Sequence, residues 1–507
     1  MSTNRIVAGT VVSYLNTGTS MLSNLILVPM YLYYLGKEQY GLWLVVLSMV
    51  GYLGLSNLGI AQSVSNFVAS ANAKRDYDGI RSIVATGFWL YVVIVFTAII
   101  LVIGVVSLAP LESLIKVSSG LKNVVTPVLI ISSIFFLLQL PLTIFRVTLR
   151  SLNLIYKEQL FGIMFTVIQS VGVVVVLLFG IGIIGLSVVY GAVGILSGVI
   201  LFTYLHGIVP GISISRKFVD KKLAKELITP GVYFFILQLS GGLIWGTDNI
   251  IISAVLGTAA VAPYAVAFKF FMMSSGIVSV ITSNMLPTIT STYALNNKPH
   301  LSDMYINMLR LCFGLGFLAL FLLISVGPDL MIKWIGIDNY VGNSTFYLFI
   351  CLIFIQIILW PSDSILMGTT QHRGYAKMAV FEGVINVLLS LWWIHIWGVA
   401  GVAAATLTVR LATNGWFMFY RASVITAVGM RSFIIEVFKP FIIPISGALI
   451  MVYILNQTSF SGWYKIIVSI ASICFIFISL FYFLSLSRDK RLEINRLIRG
   501  YYGSYKT

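Results

Sequence analysis

Five ionisable residues fall inside long apolar runs of this sequence: Asp248, Lys269, Asp363, Glu382 and Arg410. A charge in hydrocarbon is costly, so each must pair with another or face a hydrated path. Asp248 and Lys269 stand about 12 and 9 residues either side of a turn near Ala260, hence at similar depth on adjacent spans. They form either a self-neutralising pair or two contacts for a polar cargo. Asp363 and Glu382 lie about 9 and 10 residues either side of a turn near His372. Carboxylates that face each other would not both ionise, which suits proton or cation coupling. Contact of either with Arg410 is the structural alternative. Arg410 lies about eleven residues into its span, near mid-membrane, and is a candidate anion contact.

Neutral polar groups recur at helical spacing in a few of these runs. The first carries Ser13, Asn16, Thr17, Ser20 and Asn24; the second carries Ser48, Tyr52, Ser56, Gly59, Ser63 and Asn66. Gln238, Gly242, Trp245 and Asn249, with Asp248 beside them, mark the seventh, and Lys269, Met272, Gly276, Ser279 and Ser283 the eighth. A polar stripe is what a cavity-lining helix needs, although small polar residues also serve as packing contacts between helices. The third, ninth and thirteenth runs are almost wholly apolar. Corresponding spans of the two halves, 1 and 2 with 7 and 8, are therefore expected to line a cavity between them. Trp43, Tyr52 and Trp245 are candidate aromatic platforms there.

The elements that carry these residues follow from composition. Of 507 residues 59% are hydrophobic and 9% charged, with a mean hydropathy of +0.99. A soluble domain carries roughly 25% charged residues. A span with its connection takes roughly 35 residues, so the expected fold is an all-α polytopic membrane protein of about fourteen transmembrane helices. The first apolar run, about Val7 to Leu35, is too long for a signal-peptide core and is expected to remain as a span. No phosphate-binding G-x-x-x-x-G-K-[ST] loop occurs, the four histidines have no metal-ligand spacing, and nothing pairs a nucleophile with a base. The cysteines, Cys312, Cys351 and Cys474, form no disulfide framework. The expectation is a carrier with no catalytic residues, no metal and no cofactor.

The net charge of +16 would suggest nucleic acid in a soluble protein, but here it is topological. Twenty-five Lys and Arg fall in one set of alternate loops and five in the other, with Lys269 and Arg410 inside spans. That asymmetry follows the positive-inside rule and sets both termini in the cytoplasm. The basic stretch 207–230, expected as a solvated linker, divides the chain. The tail 488–507 reads as a basic surface helix.

The two sides of the linker look like copies. Leu35-Gly36 recurs as Leu256-Gly257, Pro141 and Lys157 as Pro361 and Lys377, and Gly182-Ile-Ile-Gly185 as Gly398-Val-Ala-Gly401. The offsets, 216 to 221, are nearly constant. Six spans per copy keep one orientation, a parallel repeat of the transporter kind. The expected organisation is a six-helix lobe at 1–206, the linker, a second lobe at 231–420, two added helices at 421–487 and the tail.

At Tyr34-Leu35-Gly36-Lys37-Glu38-Gln39-Tyr40-Gly41-Leu42-Trp43, then Leu58-Gly59, the chain resembles the Wzx-type polysaccharide (O-antigen) flippases of the multidrug/oligosaccharidyl-lipid/polysaccharide exporter superfamily. Leu256-Gly257 leading to Tyr264 and Gly398-x-x-Gly401 resemble it too. The resemblance implies two six-helix lobes around a V-shaped cavity in the bacterial inner membrane. It implies transport of an undecaprenyl-pyrophosphate-linked oligosaccharide, an O-antigen or capsule unit of lipopolysaccharide-type biosynthesis, by alternating access. Membrane lipids, a polysaccharide polymerase and a chain-length regulator are the implied partners, and nucleic acid is not. The alternatives are an ion-coupled multidrug exporter and a lipid II flippase. Drug exporters of the superfamily commonly carry an acidic residue in the first span, and none lies between Arg5 and Lys37 here. Lipid II flippases place several arginines in the first two spans, where this chain has only Lys37 between Arg5 and Lys74. Under this resemblance Lys269, Arg410, Asp248, Asn16, Asn24, Tyr52 and Trp245 are the expected substrate contacts, and Asp363 and Glu382 the expected ion-coupling pair.

Overall fold

The computed structural model describes residues 3–108, 115–209, 211–228, 231–369, 372–458 and 462–485, with Arg491. Within them there are helices and turns and no strand. Twelve helices are long and apolar enough to cross a membrane. The expected tail helix falls outside the described residues except for Arg491.

The first half contains α1 (Thr3–Tyr52), α2 (Ile60–Ala73), α3 (Tyr77–Leu108), α4 (Lys122–Gln139), α5 (Thr143–Ser151), α6 (Ile155–Leu178) and α7 (Gly182–Ile208). Next come α8 (Lys221–Ile228), α9 (Gly231–Trp245), α10 (Asp248–Leu256), α11 (Thr258–Asn284), α12 (Leu286–Ala294), α13 (Lys298–Ile335) and α14 (Asn343–Gly368). The chain continues through α15 (His372–Trp397), α16 (Val399–Arg410), α17 (Trp416–Thr426), α18 (Ile442–Gln457) and α19 (Gly462–Leu480).

Glycine geometry matches the paired turns read from the sequence. Gly36 breaks α1 into two rods at φ 71°, ψ 174°. Gly257, its counterpart, ends α10 at φ 93°, ψ 163°. Only glycine adopts this region without a steric cost, which accounts for a glycine at both turns. Gly182 opens α7 and Gly398 precedes α16, both at positive φ.

Apolar runs that look continuous in the sequence are interrupted in the structure. The second rod of α1 passes through a 3-10 turn and left-handed Leu58 and Gly59 before α2. The run 231–256 breaks at Gly246-Thr247 between α9 and α10. A π-turn, Leu411–Gly415, separates α16 from α17.

Two compact units form: residues 1–266 with 379–402, and residues 267–378 with 403–507. The first therefore includes α9, α10 and much of α15 besides the first six expected spans. Its core gathers Val64, Val84, Tyr91, Ile144, Phe145 and Leu205. The core of the second gathers Tyr305, Leu309, Ile365, Phe441 and Ile473. The lipid-facing character of α3 is plain: Val93, Phe96 and Leu101 are all more than 60% exposed on a helix of mean window hydropathy 2.9.

The central linker is not a solvated loop. Trp89 Nε1 donates to the carbonyl of Ile214 at 2.7 Å, and Arg216 lies 4.2 Å over the Trp89 ring. Ser82 Oγ donates to the carbonyl of Phe218, and Ile212 and Leu227 are fully buried in the first core. Aromatic and hydroxyl groups of α3 thus supply partners that the linker sequence does not reveal.

Candidate functional site

In the first unit α1, α4, α5, α6 and α7 line a cavity of about 450 Å³, within the roughly 300–1,000 Å³ typical of small-molecule sites. Its polar lining comes from Asn16 and Ser20 of α1, Ser132 and Gln139 of α4, and Arg146 of α5. Thr166 and Gln169 of α6 and Ser187, Tyr190 and Ser197 of α7 complete it. None of the lining residues is acidic.

Glycines open this space. A Cβ at Gly191 would collide with Phe135, one at Gly194 with the Gln139 amide, and one at Gly198 with Leu142. Side chains of α4 therefore lie directly across the backbone of α7. A Cβ at Gly162 would stand 3.0 Å from Asn16 Nδ2, so α6 makes the same allowance for α1.

Three of the lining serines are satisfied by the protein itself. Ser132 Oγ donates to Ser187 Oγ at 2.8 Å, Ser187 Oγ to the Ile183 carbonyl, and Ser197 Oγ to the Gly194 carbonyl. The amides are not. Asn16 Nδ2 donates to Gln159 Oε1 at 2.7 Å, but Asn16 Oδ1 is buried without a partner. Gln139 uses its Nε2 on the Phe135 carbonyl. Among the described residues, Gln169 and the exposed Arg146 make no hydrogen bond or ion pair. A buried acceptor left unpaired costs about 1–3 kcal/mol, a cost that Asn16 Oδ1 bears here.

Behind Asn16 runs a polar chain. Gln159 Nε2 donates to Glu158 Oε2 at 3.2 Å, and Arg150 grips both oxygens of Glu158. Glu158, 7% exposed, is thus neutralised by a partner away from the cavity. On another side four aromatics pack together: Tyr31 stacks on Tyr40 with centroids 5.0 Å apart. Tyr31 and Tyr190 hydroxyls meet at 3.1 Å, and Trp43 meets Tyr190 edge-on at 5.4 Å.

A second polar cluster of the same unit surrounds the break between α9 and α10. Tyr52 donates to the Gly242 carbonyl at 2.9 Å and lies 2.5 Å from Thr247 Oγ1. Asn249 Nδ2 donates to Ser48 Oγ. Tyr264 donates to Asp248 Oδ2 at 2.6 Å, with Asp248 only 5% exposed. At the break Thr247 Oγ1 donates to the Leu243 carbonyl at 3.0 Å, and Tyr52 adds a second donor to the Gly242 carbonyl, which Gly246 N–H already holds.

The expected site residues therefore divide. Asn16 lines the cavity; Asn24 Nδ2 instead donates to the Ser20 carbonyl of its own helix. Tyr52 and Asp248 belong to the helix-break cluster, and Trp245 ends α9 beside it. Glu382, 1% exposed, lies in the first unit on α15, where Gly383 packs against Leu243. The remaining three belong to the second unit. Lys269 is half-buried on α11 and makes no hydrogen bond or ion pair among the described residues. Arg410, 4% exposed, donates from Nη2 to Gln356 Oε1 at 2.8 Å. Its charge bears on Asp363, which accepts a hydrogen bond from Tyr375. Sequence reasoning missed Gln139, Gln169 and Arg146; the signal was an amide in each of two spans that also carry the hydroxyls of Ser132 and Thr166.

A family model described as "Polysaccharide biosynthesis protein" matches residues 6–293, more than half of the chain. Among solved structures, the lipid II flippase MurJ in an inward closed conformation is similar over 93% of this chain and 98% of its own, with a TM-score of 0.72 and 14% identity. An inward-facing multidrug resistance MATE transporter of the MOP superfamily is similar over 83% of this chain and 99% of its own, with a TM-score of 0.66 and 14% identity. A MOP superfamily transporter from Pyrococcus furiosus, described as having a binding pocket of reverse polarity, is similar at a TM-score of 0.60 and 13% identity. That match covers 83% of this chain and 95% of the relative. No curated protein matches this chain.

Proposed function

The chain belongs to the polysaccharide biosynthesis protein family, and from that premise we propose that it is a flippase for a lipid-linked oligosaccharide. The cargo is an undecaprenyl-pyrophosphate glycan unit, moved across the bacterial inner membrane by alternating access of fourteen spans with both termini cytoplasmic.

The observation that carries the reading is the cavity of the first unit. It offers amides, hydroxyls and aromatics, with one cation and no carboxylate among its lining residues. A cationic drug would meet no counter-charge there. Sugar hydroxyls would find hydrogen bonds that offset the desolvation otherwise forbidding their passage through hydrocarbon. Lys269, an intramembrane cation on the polar-striped α11, is the residue proposed to attract the pyrophosphate.

Cells lacking their own flippase for a defined glycan provide the test. Expression of this chain should restore surface glycan; Lys269→Ala should lower the yield and Lys269→Arg retain part of it. Export of cationic dyes by reconstituted protein, without glycan complementation, would reject the reading in favour of a multidrug exporter.

A further inference from the structure

We propose that the cavity lined by Asn16, Gln139, Arg146, Gln169 and Tyr190 is a saccharide subsite that encloses a sugar ring of the cargo within the first unit. The inference rests on the flippase reading and adds a location and a chemistry to it.

Three observations carry it. First, the unused polar atoms are of the right kind. Asn16 Oδ1 is a buried orphan acceptor, Gln139 keeps its Oε1 after donating from Nε2, and Gln169 has its whole amide available among the described residues. Planar amides present a donor and an acceptor side by side, matching a pair of neighbouring hydroxyls that each donate and accept. Second, Ser132, Ser187 and Ser197, which might have served a small cation or a water file, are already turned onto one another and onto backbone. Third, negative charge is kept out of the lining. Glu158, one residue from Gln159, is held by Arg150, so that Gln159 presents a neutral oxygen to Asn16.

Size agrees. A volume of about 450 Å³ accommodates a ring or two and excludes a complete repeat unit. The remainder of the glycan would stay outside this cavity. Arg146 on α5 is exposed and makes no ion pair among the described residues. It is suited to an acidic substituent or a phosphate next to the enclosed ring. Trp43 and Tyr190 give the ring an aromatic wall, backed by Tyr31 and Tyr40.

The test uses full-length protein in nanodiscs carrying Ser20→Cys, with maleimide modification of the introduced thiol followed by peptide mass spectrometry. The probes are short-prenyl pyrophosphates bearing glucose, galactose or N-acetylglucosamine, and the same prenyl pyrophosphate without sugar. At least one sugar-bearing probe should slow labelling of that thiol fivefold or more, and the sugar-free probe should not. Gln169→Ala should abolish that protection, Gln169→Asn should keep part of it, and Thr19→Ala, on the exposed side of α1, should leave it intact. If sugar-bearing probes raise the melting temperature of the protein yet leave labelling of the thiol unchanged, the subsite is refuted while the flippase reading stands. Equal protection by the sugar-free probe also refutes it, because the cavity is then an anion site. Failure of every probe to shift the melting temperature counts against the flippase reading itself, and the inference falls with it.

Discussion

Arg410 donates from Nη2 to the side-chain oxygen of Gln356 at 2.8 Å, deep in the second unit. Gly194 occupies the position 216 residues earlier, at the same register of its own span. There the glycine makes room for the Gln139 amide beside an open cavity. The two positions that the sequence offset aligns are thus filled differently: one carries a guanidinium bonded to a glutamine, and the other a glycine against which a glutamine packs. A buried cation whose charge bears on Asp363 acts as a scaffold element of its unit. Arg410→Gln should lower stability by about 3 kcal/mol, the cost of leaving a buried partner unmatched. Asp363→Asn in the same chain should restore part of it. Thermal unfolding in detergent measures both. Lost export in Arg410→Gln at unchanged stability, with no rescue by Asp363→Asn, would return the arginine to the role of substrate contact.

The carboxylate of Asp248 poses the same question on the other side of the chain. Tyr264 donates to it at 2.6 Å within a buried cluster. Asp248→Asn keeps an acceptor for that hydroxyl and should change stability by less than about 1 kcal/mol. Tyr264→Phe leaves the carboxylate short of a donor and should cost about 1–3 kcal/mol. The reverse order, measured by thermal unfolding, would mean that the negative charge itself holds the cluster together.

Much of this architecture is legible in the sequence because its causes are local. A long apolar run makes a spanning helix wherever it occurs, and the Gly36 and Gly257 turns announce themselves through a residue type that positive φ demands. The break at Gly246-Thr247 is hidden, since the apolar run continues across it and the compensating donors, Tyr52 above all, come from residues some 190 positions away. The cavity was half legible. Asn16 stands out in a polar stripe, whereas Gln139 and Gln169 lie in spans not marked as cavity-lining and Arg146 counts as an ordinary loop charge until the helices are packed. Partnership is what decides Arg410, and partners such as Gln356 are set by tertiary contacts alone.

Docking of the central linker rests on one aromatic side chain that can be removed. Trp89 accepts the Arg216 guanidinium on its face and donates to the Ile214 carbonyl. The two contacts together are worth about 2 kcal/mol. Trp89→Ala should therefore raise the population of undocked linker by roughly thirtyfold. Limited trypsin digestion at Lys217 and Lys221 would report it as faster cleavage. An unchanged rate would show that Ile212 and Leu227, buried in the core of the first unit, hold the segment without the indole.

Outside the bundle core, a short loop clasps the turn that ends α10. Lys116 N–H donates to the Ser253 carbonyl at 3.3 Å, and its own carbonyl accepts from Thr258 N–H at 3.1 Å. Its Nζ donates to the Val255 carbonyl at 2.8 Å. Glu38, on the far side of the Gly36 turn, holds the same loop by accepting from Ser118 N–H at 2.6 Å. The approach is close enough that a Cβ at Gly41 would collide with the Thr258 carbonyl. Under the alternating-access reading proposed above, such a clasp on the outer face is released on outward opening, so weakening it should raise the open fraction. A hydrogen bond to a charged group contributes about 1.5–3 kcal/mol, so Glu38→Ala should increase opening by roughly tenfold or more. The readout is labelling of a buried Ser253→Cys by an impermeant maleimide added to intact cells. Labelling that rises in Glu38→Ala and returns to its starting rate in Glu38→Gln would identify the acceptor oxygen as the working part. No rise in either variant would mean that the Lys116 backbone bonds close this face by themselves.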